Sequence, residues 1–256
     1  MRPMKRAIAL VSALLLAGCA AGPAIDTTYT ARSQESRVQF LVLHYTWDDW
    51  PSSLKTLTGE NVSSHYLVRD DPPVVYRLVD ESRRAWHAGV SSWQGTTNLN
   101  SSSIGIEIVN LGDRNGGWQE YPKAQMDVVI ALVKDIVKRH GIRPDRIVGH
   151  SDIAPQRKSD PGPLFPWKRL ADEGLIKWPD ASEVARRRSG FERQLPDIEW
   201  FQKMLSKHGY DVPLNGELDE QTVRVITVFQ MRNRPAKFDG MPDAETAAIL
   251  DVLVNP

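Results

Sequence analysis

Two histidines, His44 and His150, each close a short apolar run, and Asp160 follows the second in a loop rich in proline and glycine. Two imidazoles and a carboxylate suit a zinc ion with one coordination position left open. Such an ion supplies an activated water and a partner for a developing oxyanion, which is what hydrolysis at neutral pH needs. Strand ends converge at one edge of a sheet, so the first two donors can face a common ion while the loop folds back with the third. Glu107 stands in an alternating run, Ile104-Gly-Ile-Glu-Ile-Val109, on the face opposite the isoleucines, where a carboxylate could take a proton from water. Lys158, two residues before Asp160, offers a cation for a tetrahedral intermediate. Taken singly, a histidine at a strand end more often makes a structural hydrogen bond than a metal bond, so residue type alone leaves both readings open.

The elements that must position these groups are legible in outline. Residues 38–45 form a short apolar run rich in β-formers, as in a strand buried on both faces. Residues 66–69 and 74–78 predict a hairpin around Asp70-Asp71-Pro72-Pro73, and 104–110 a further strand. Val129, Val133 and Val137 recur at helical spacing between Pro122 and Gly141, which suit the first turn and the C-cap, so a helix is predicted over 122–140. A strand over 146–150 and a loop through Trp167 follow. The alternation predicts an α/β core, a central mixed β-sheet flanked by helices, over residues 37–179. Residues 180–193, with Arg186-Arg187-Arg188, read as a linker. Apolar patterns over 198–208, 220–232 and 243–253, separated by glycine turns, predict a small all-α three-helix domain over 194–256.

Composition narrows the function. The chain has 256 residues, 41% hydrophobic and 25% charged, with a formal net charge of zero, so it is globular and lacks the basic excess that phosphate neutralisation needs. No nucleic-acid partner is expected, and nothing suggests more than a monomer. Arg2, Lys5 and Arg6 followed by an apolar run to Ala17 read as an export signal, too short to span a bilayer. Cys19 is the only cysteine, which excludes an intrachain disulfide and a thiolate metal cluster. Leu16-Ala17-Gly18-Cys19 resembles the bacterial lipobox. That resemblance implies a signal over 1–18, acylation of Cys19, a tether over 19–36, and, with Ala20 after the cysteine, an outer-membrane anchor facing the periplasm. Several acyl chains hold a protein on a membrane stably where one does not.

The core resembles the N-acetylmuramoyl-L-alanine amidase family of the bacteriophage lysozyme and peptidoglycan-recognition-protein fold, particularly its lipoprotein branch. The segments that carry the resemblance are Val42-Leu-His-Tyr-Thr46, Ser63-Ser-His-Tyr-Leu-Val-Arg69, Ala85-Trp-His-Ala-Gly89, Ser103-Ile-Gly-Ile-Glu-Ile108, Ile147-Val-Gly-His-Ser-Asp152 and Ala154-Pro-Gln-Arg-Lys-Ser-Asp-Pro-Gly162. The resemblance implies one zinc ion (Zn2+) held by His44, His150 and Asp160, with Glu107 and Lys158 catalytic, cutting the bond between N-acetylmuramic acid and L-alanine in peptidoglycan or muropeptides. Relatives that only recognise peptidoglycan lose the third ligand, so Asp160 favours an enzyme over the rival reading, a non-catalytic peptidoglycan-binding lipoprotein.

The remaining candidates are weaker. His87 resembles the family's cleft-lining position, or is a hydrogen-bonded loop histidine. His65 reads as structural, and His140 and His208 as helix-end residues. Arg69, Asn100 and Arg157 could bind peptide carboxylates or sugar hydroxyls, and Trp47, Trp50 and Trp93 could stack on sugars or fill a core. The C-terminal segments Ile198-Glu-Trp-Phe-Gln-Lys-Met-Leu205, Asn215-Gly-Glu-Leu-Asp-Glu-Gln-Thr222 and Asp239-Gly-Met-Pro-Asp-Ala-Glu-Thr246 resemble a three-helix peptidoglycan-binding domain, with Arg234-Pro235-Ala236-Lys237 departing from its usual turn. Such a module would raise local substrate concentration by holding the enzyme on polymer.

Overall fold

In the computed structural model, which describes residues 22–256, the first apolar run of the core folds as β1 (Phe40–Tyr45). A helix α1 (Trp50–Leu57) follows, capped by the Asp49 side chain on Ser52 N. Next come β2 (Tyr66–Val68) and β3 (Val75–Arg77), the predicted hairpin, a small ribbon of β4 (Ser92–Trp93) and β5 (Thr96–Thr97), and β6 (Ser103–Ile108). The long helix α2 (Lys123–His140) ends at Gly141, whose φ of 67° is the left-handed cap that glycine adopts without strain. β7 (Ile147–Gly149), the short helix α3 (His150–Ile153) and α4 (Trp167–Asp172) complete the core. Residues 22–35 carry no helix or strand, and the proposed signal and Cys19 lie outside the described residues.

The five-stranded sheet has the order β3-β2-β6-β1-β7, parallel except for the β2/β3 pair. Alternation gives its faces different characters. Leu41, Leu43, Tyr66, Val68, Ile104, Ile106, Ile108 and Ile147 form one side and pack with Met126, Val129, Val133 and Ile136 of α2. Phe40, Val42 and Val148 belong to a different cluster, and His44, Ser103 and Glu107 share the face of Phe40 and Val42.

Two expectations need correction. His150 begins α3 instead of ending the preceding strand, because the Asp152 carboxylate accepts the Gly149 N–H at 2.8 Å and turns the chain into a helix. Residues 180–193 are a helix, not a linker: α5 (Ala181–Arg193), capped by Asp180, packs along α8 (Ala244–Val254) beside α6 (Ile198–His208) and α7 (Glu220–Asn233). Arg187 donates to the Asp251 carboxylate at 3.0 Å, so part of the charge run that suggested a linker serves an interhelical pair. The three predicted helices are therefore joined by a fourth.

These helices share a core with the sheet. Phe201, Leu205, Tyr210, Val225 and Phe229 cluster with Phe40, Val42, Val148 and Trp93, making residues 36–256 one contiguous unit. Phe229→Ala should cost about 3–5 kcal/mol. Because the core is shared, urea unfolding should remain a single transition by fluorescence and circular dichroism, shifted to lower denaturant in the variant; two separated transitions would contradict the shared core.

Candidate active site

Parallel pairing aligns His44 of β1 with Glu107 of β6, so both leave the sheet on the face away from α2. His150 enters from the first turn of α3, at the end of β7 on the other side of β1. Asp160 comes back along its loop. Ser151 N donates to the Asp160 carbonyl at 2.8 Å, and Tyr45 Oη and Ser159 Oγ hydrogen-bond at 2.8 Å. Gly149 permits the approach, since a Cβ there would lie 2.6 Å from Pro161 Cδ.

The three donors converge. His44 Nδ1 lies 3.0 Å from His150 Nδ1 and 3.0 Å from Asp160 Oδ2, and His150 Nδ1 lies 3.1 Å from that oxygen. All three residues are at most 5% exposed. The outer ring nitrogens decide the tautomers. His150 Nε2–H donates to the Ala88 carbonyl at 3.1 Å. His44 Nε2–H donates to His87 Nδ1 at 3.0 Å, His87 Nε2–H to Ser103 Oγ at 3.2 Å, and the Ser103 hydroxyl to the Leu99 carbonyl at 2.6 Å. Both inner nitrogens are thereby left as lone pairs facing a carboxylate oxygen, a buried arrangement that repels itself unless a cation sits between them. Tetrahedral zinc with bonds of about 2.0–2.1 Å spaces its ligands by roughly 3.3 Å, so the triangle fits that ion closely.

The electrostatics follow from burial. Desolvation and then the neighbouring His150 push His44 down to about 4. Burial alone would raise the Asp160 carboxyl, but the His150 and His44 contacts outweigh it and hold it well below the usual carboxylate range. Glu107 goes the other way: burial, reinforced by the Asp160 charge, pushes its carboxyl well above the usual range, and Lys158 pulls it partly back. Its Oε1 stands 4.0 Å from His44 Nδ1, and its Oε2 is buried without a hydrogen-bond partner. A carboxyl with a free oxygen beside a cation site is equipped to exchange a proton with water held there.

Glu107, His150 and Asp160 line a cavity of about 590 Å³, large enough for a small ligand. Lys158 and Arg157 stand on one wall, and Trp47 and Trp86, each 52% exposed, offer aromatic faces on others. Other candidates lie elsewhere or are engaged. Arg69 is outside the cavity, with its guanidinium 5.3 Å from the Trp50 ring centre. Asn100 is buried, its Oδ1 accepting the His87 and Ala88 amides at 3.0 and 2.7 Å, a backbone support in place of a ligand contact. Arg157 spends much of its fork on the Val90 and Ala88 carbonyls. Trp50 packs on Tyr76 and Trp93 is buried against Tyr210. His87 lines the cavity yet lies behind His44, its ring so close over Gly105 that a Cβ there would meet it at 2.5 Å. Sequence reading passed over Ser103; the alternation that set Glu107 and Gly105 on one face includes it.

Residues 34–163 match the family model described as N-acetylmuramoyl-L-alanine amidase, and residues 194–250 one described as "Putative peptidoglycan binding domain". The chain is 45% identical to N-acetylmuramoyl-L-alanine amidase AmiD of Escherichia coli K12 over 98% of each sequence. The solved complex of E. coli AmiD with the substrate anhydro-N-acetylmuramic acid-L-Ala-D-gamma-Glu-L-Lys superposes with a TM-score of 0.81 at 44% identity, covering 90% of this chain and 93% of that one. The crystal structure of AmpDh3 from Pseudomonas aeruginosa gives 0.85 at 40% identity, covering 91% and 98%.

Burial lowers the proton affinity of His44, His65 and His87 below that of free imidazoles, which take up protons near 6.5. At these three sites the unfolded chain then binds more protons than the folded one from about pH 6.5 downward, offset in part by the buried Glu107 carboxyl, which keeps in the folded chain a proton that the unfolded chain releases above about 4.5. Stability of the metal-stripped protein should be full above that range and fall with pH, by up to roughly 1.4 kcal/mol per pH unit for each such histidine. Urea midpoints of the EDTA-treated protein at pH 7 and pH 5 measure this, and equal midpoints would refute neutral buried histidines.

Proposed function

The chain belongs to the N-acetylmuramoyl-L-alanine amidase family, and from that premise we propose that it is a zinc-dependent enzyme of cell-wall turnover, exported and held on the periplasmic face of the outer membrane through Cys19. Its reaction is hydrolysis of the amide between the lactyl group of N-acetylmuramic acid and L-alanine. The observation that carries the metal reading is the buried triangle of His44 Nδ1, His150 Nδ1 and Asp160 Oδ2 with Glu107 aligned beside it.

Zinc held by those three residues would supply Lewis acidity, polarising the scissile carbonyl and making water a better nucleophile. The chain does the rest. Glu107 takes a proton from the attacking water as oxygen bonds to the carbonyl carbon. Lys158, on the cavity wall, opposes the negative charge gathering on the carbonyl oxygen. As the carbon–nitrogen bond breaks, Glu107 returns the proton to the departing L-alanyl amine, and the muramyl carboxylic acid left behind gives up the water's second proton to solvent and becomes a carboxylate. The high affinity of Glu107 for a proton, which burial produces, suits the second role; a nearby dication lowers that affinity and suits the first. The Asn100 and Arg157 contacts hold the 87–90 loop, which supports both histidines from behind. The Trp47 and Trp86 faces suit sugar rings. The C-terminal helices, whose sequence matches a wall-binding model, keep the enzyme on polymer.

Mass spectrometry of muropeptides and sacculi incubated with the protein tests the reaction. Free stem peptides and peptide-free muramyl glycans should appear with zinc and vanish with chelator. Glu107→Ala should lower turnover by about 10²–10⁴-fold with zinc still bound, and Lys158→Met by about 10²–10³-fold. Peptides that stay on muramic acid under every condition would overturn the reading. For the anchor, Cys19→Ser should move the protein from the outer-membrane fraction to the soluble periplasm; unchanged fractionation would remove lipidation from the account.

A further inference from the structure

The carboxylate of Asp152, only 1% exposed, sits two residues past His150 and accepts from three directions. Its Oδ2 takes the Gly149 N–H at 2.8 Å, closing a ring around His150 and Ser151. The other two donors come from the C-terminal helical region. Tyr210 Oη donates to Oδ1 at 2.7 Å, and Arg232 Nη1 to Oδ2 at 2.5 Å. Arg232 makes two further contacts: its Nη2 donates to the Ile147 carbonyl at 3.2 Å, just before that turn, and its guanidinium lies 3.9 Å from the ring centre of Trp167, at the start of α4. With Ser151 N held by the Asp160 carbonyl, the backbone on both sides of His150 is fixed, and one of those fixings depends on a carboxylate whose counter-charge arrives from about eighty residues away.

A buried carboxylate stays in place only while its charge is met by hydrogen bonds and an opposite charge. Without Arg232, Asp152 would turn towards water or admit it, and the Gly149 amide would lose its acceptor. His150 would then keep its Ala88 bond and the Ser151 tie to Asp160 but lose the fixing on its Gly149 side, and a ligand nitrogen that wanders weakens its metal as surely as a weaker donor. We propose that Arg232 and Tyr210 are positioning residues for the His150 arm, acting through Asp152, so that the C-terminal region completes the hydrolytic site in addition to any grip on polymer. This rests on the zinc-amidase reading above.

The rival role for these contacts is simple docking, which would affect sacculi and leave the metal and small substrates alone. The full chain and its Arg232→Met, Arg232→Lys and Tyr210→Phe variants separate the two. Zinc affinity is read by competition with a chromophoric chelator, turnover on a soluble anhydromuramyl tripeptide and on sacculi, and wall binding by pelleting. Arg232→Met should weaken zinc roughly tenfold and lower turnover on both substrates alike, with pelleting unchanged. Arg232→Lys, which keeps the charge without the fork, should recover part of the loss. Tyr210→Phe, which removes one hydroxyl and no volume, should show a smaller loss of the same kind and carries the test if Arg232→Met does not fold. Wild-type zinc affinity and wild-type turnover of the tripeptide in Tyr210→Phe and Arg232→Lys would overturn the proposal. A wild-type chain that binds no zinc at His44, His150 and Asp160 would instead overturn the metal reading beneath it.

Discussion

Much of this molecule answers one electrostatic demand: three lone-pair donors are buried within about 3 Å of one another with no hydrogen between them. Left to itself such a group would flip its rings or take up protons. Each escape is closed by a specific contact. The Nε2 hydrogens are committed to His87 and to the Ala88 carbonyl, and His87 is committed in turn through Ser103 to the Leu99 carbonyl. Each link donates in the same direction, so His44 has one tautomer available. The loops that hold those acceptors are themselves tied by Asn100 and Arg157, which explains why two side chains of substrate-binding type have little left to offer a ligand.

The same demand divides the sheet. One face is almost entirely aliphatic, with Tyr66 as an exception, and buries α2, supplying the rigidity that precise donor placement requires. The opposite face changes along its strands from apolar at Phe40 and Val42 to polar at His44 and Glu107. Parallel pairing of β1 with β6 sets His44 and Glu107 at the same height on the two strands. The proposed base and the proposed ligand therefore come from adjacent strands without any loop having to deliver them.

The parts that local pattern governs were legible in the sequence. Period-two alternation set Glu107 apart from its isoleucines, apolar runs located β1 and β6, and the spacing of Val129, Val133 and Val137 with Gly141 behind them located α2. The convergence of His44, His150 and Asp160 was legible because each stands where an apolar run stops or a proline-rich loop begins. Long-range pairing was not. The alternating charges of Ala181–Arg193 look like a solvated connector until the partner at Asp251 is known. Asn100 has the type of a ligand residue, and nothing local announces that its oxygen faces two backbone amides. Asp152 and Arg232, eighty positions apart, share no period at all.

The cluster joining Phe40, Val42 and Val148 to Phe201, Leu205 and Phe229 bears on how such a chain can change over generations. Two segments that match separate family models suggest beads that recombination could exchange. Here a crossover between them would bring in helices cut to fit a different sheet, and expose apolar rings beneath the proposed metal site. Insertions in surface loops remain open to drift, but the two segments are bound to vary together, and replacements at their seam must arrive in complementary pairs.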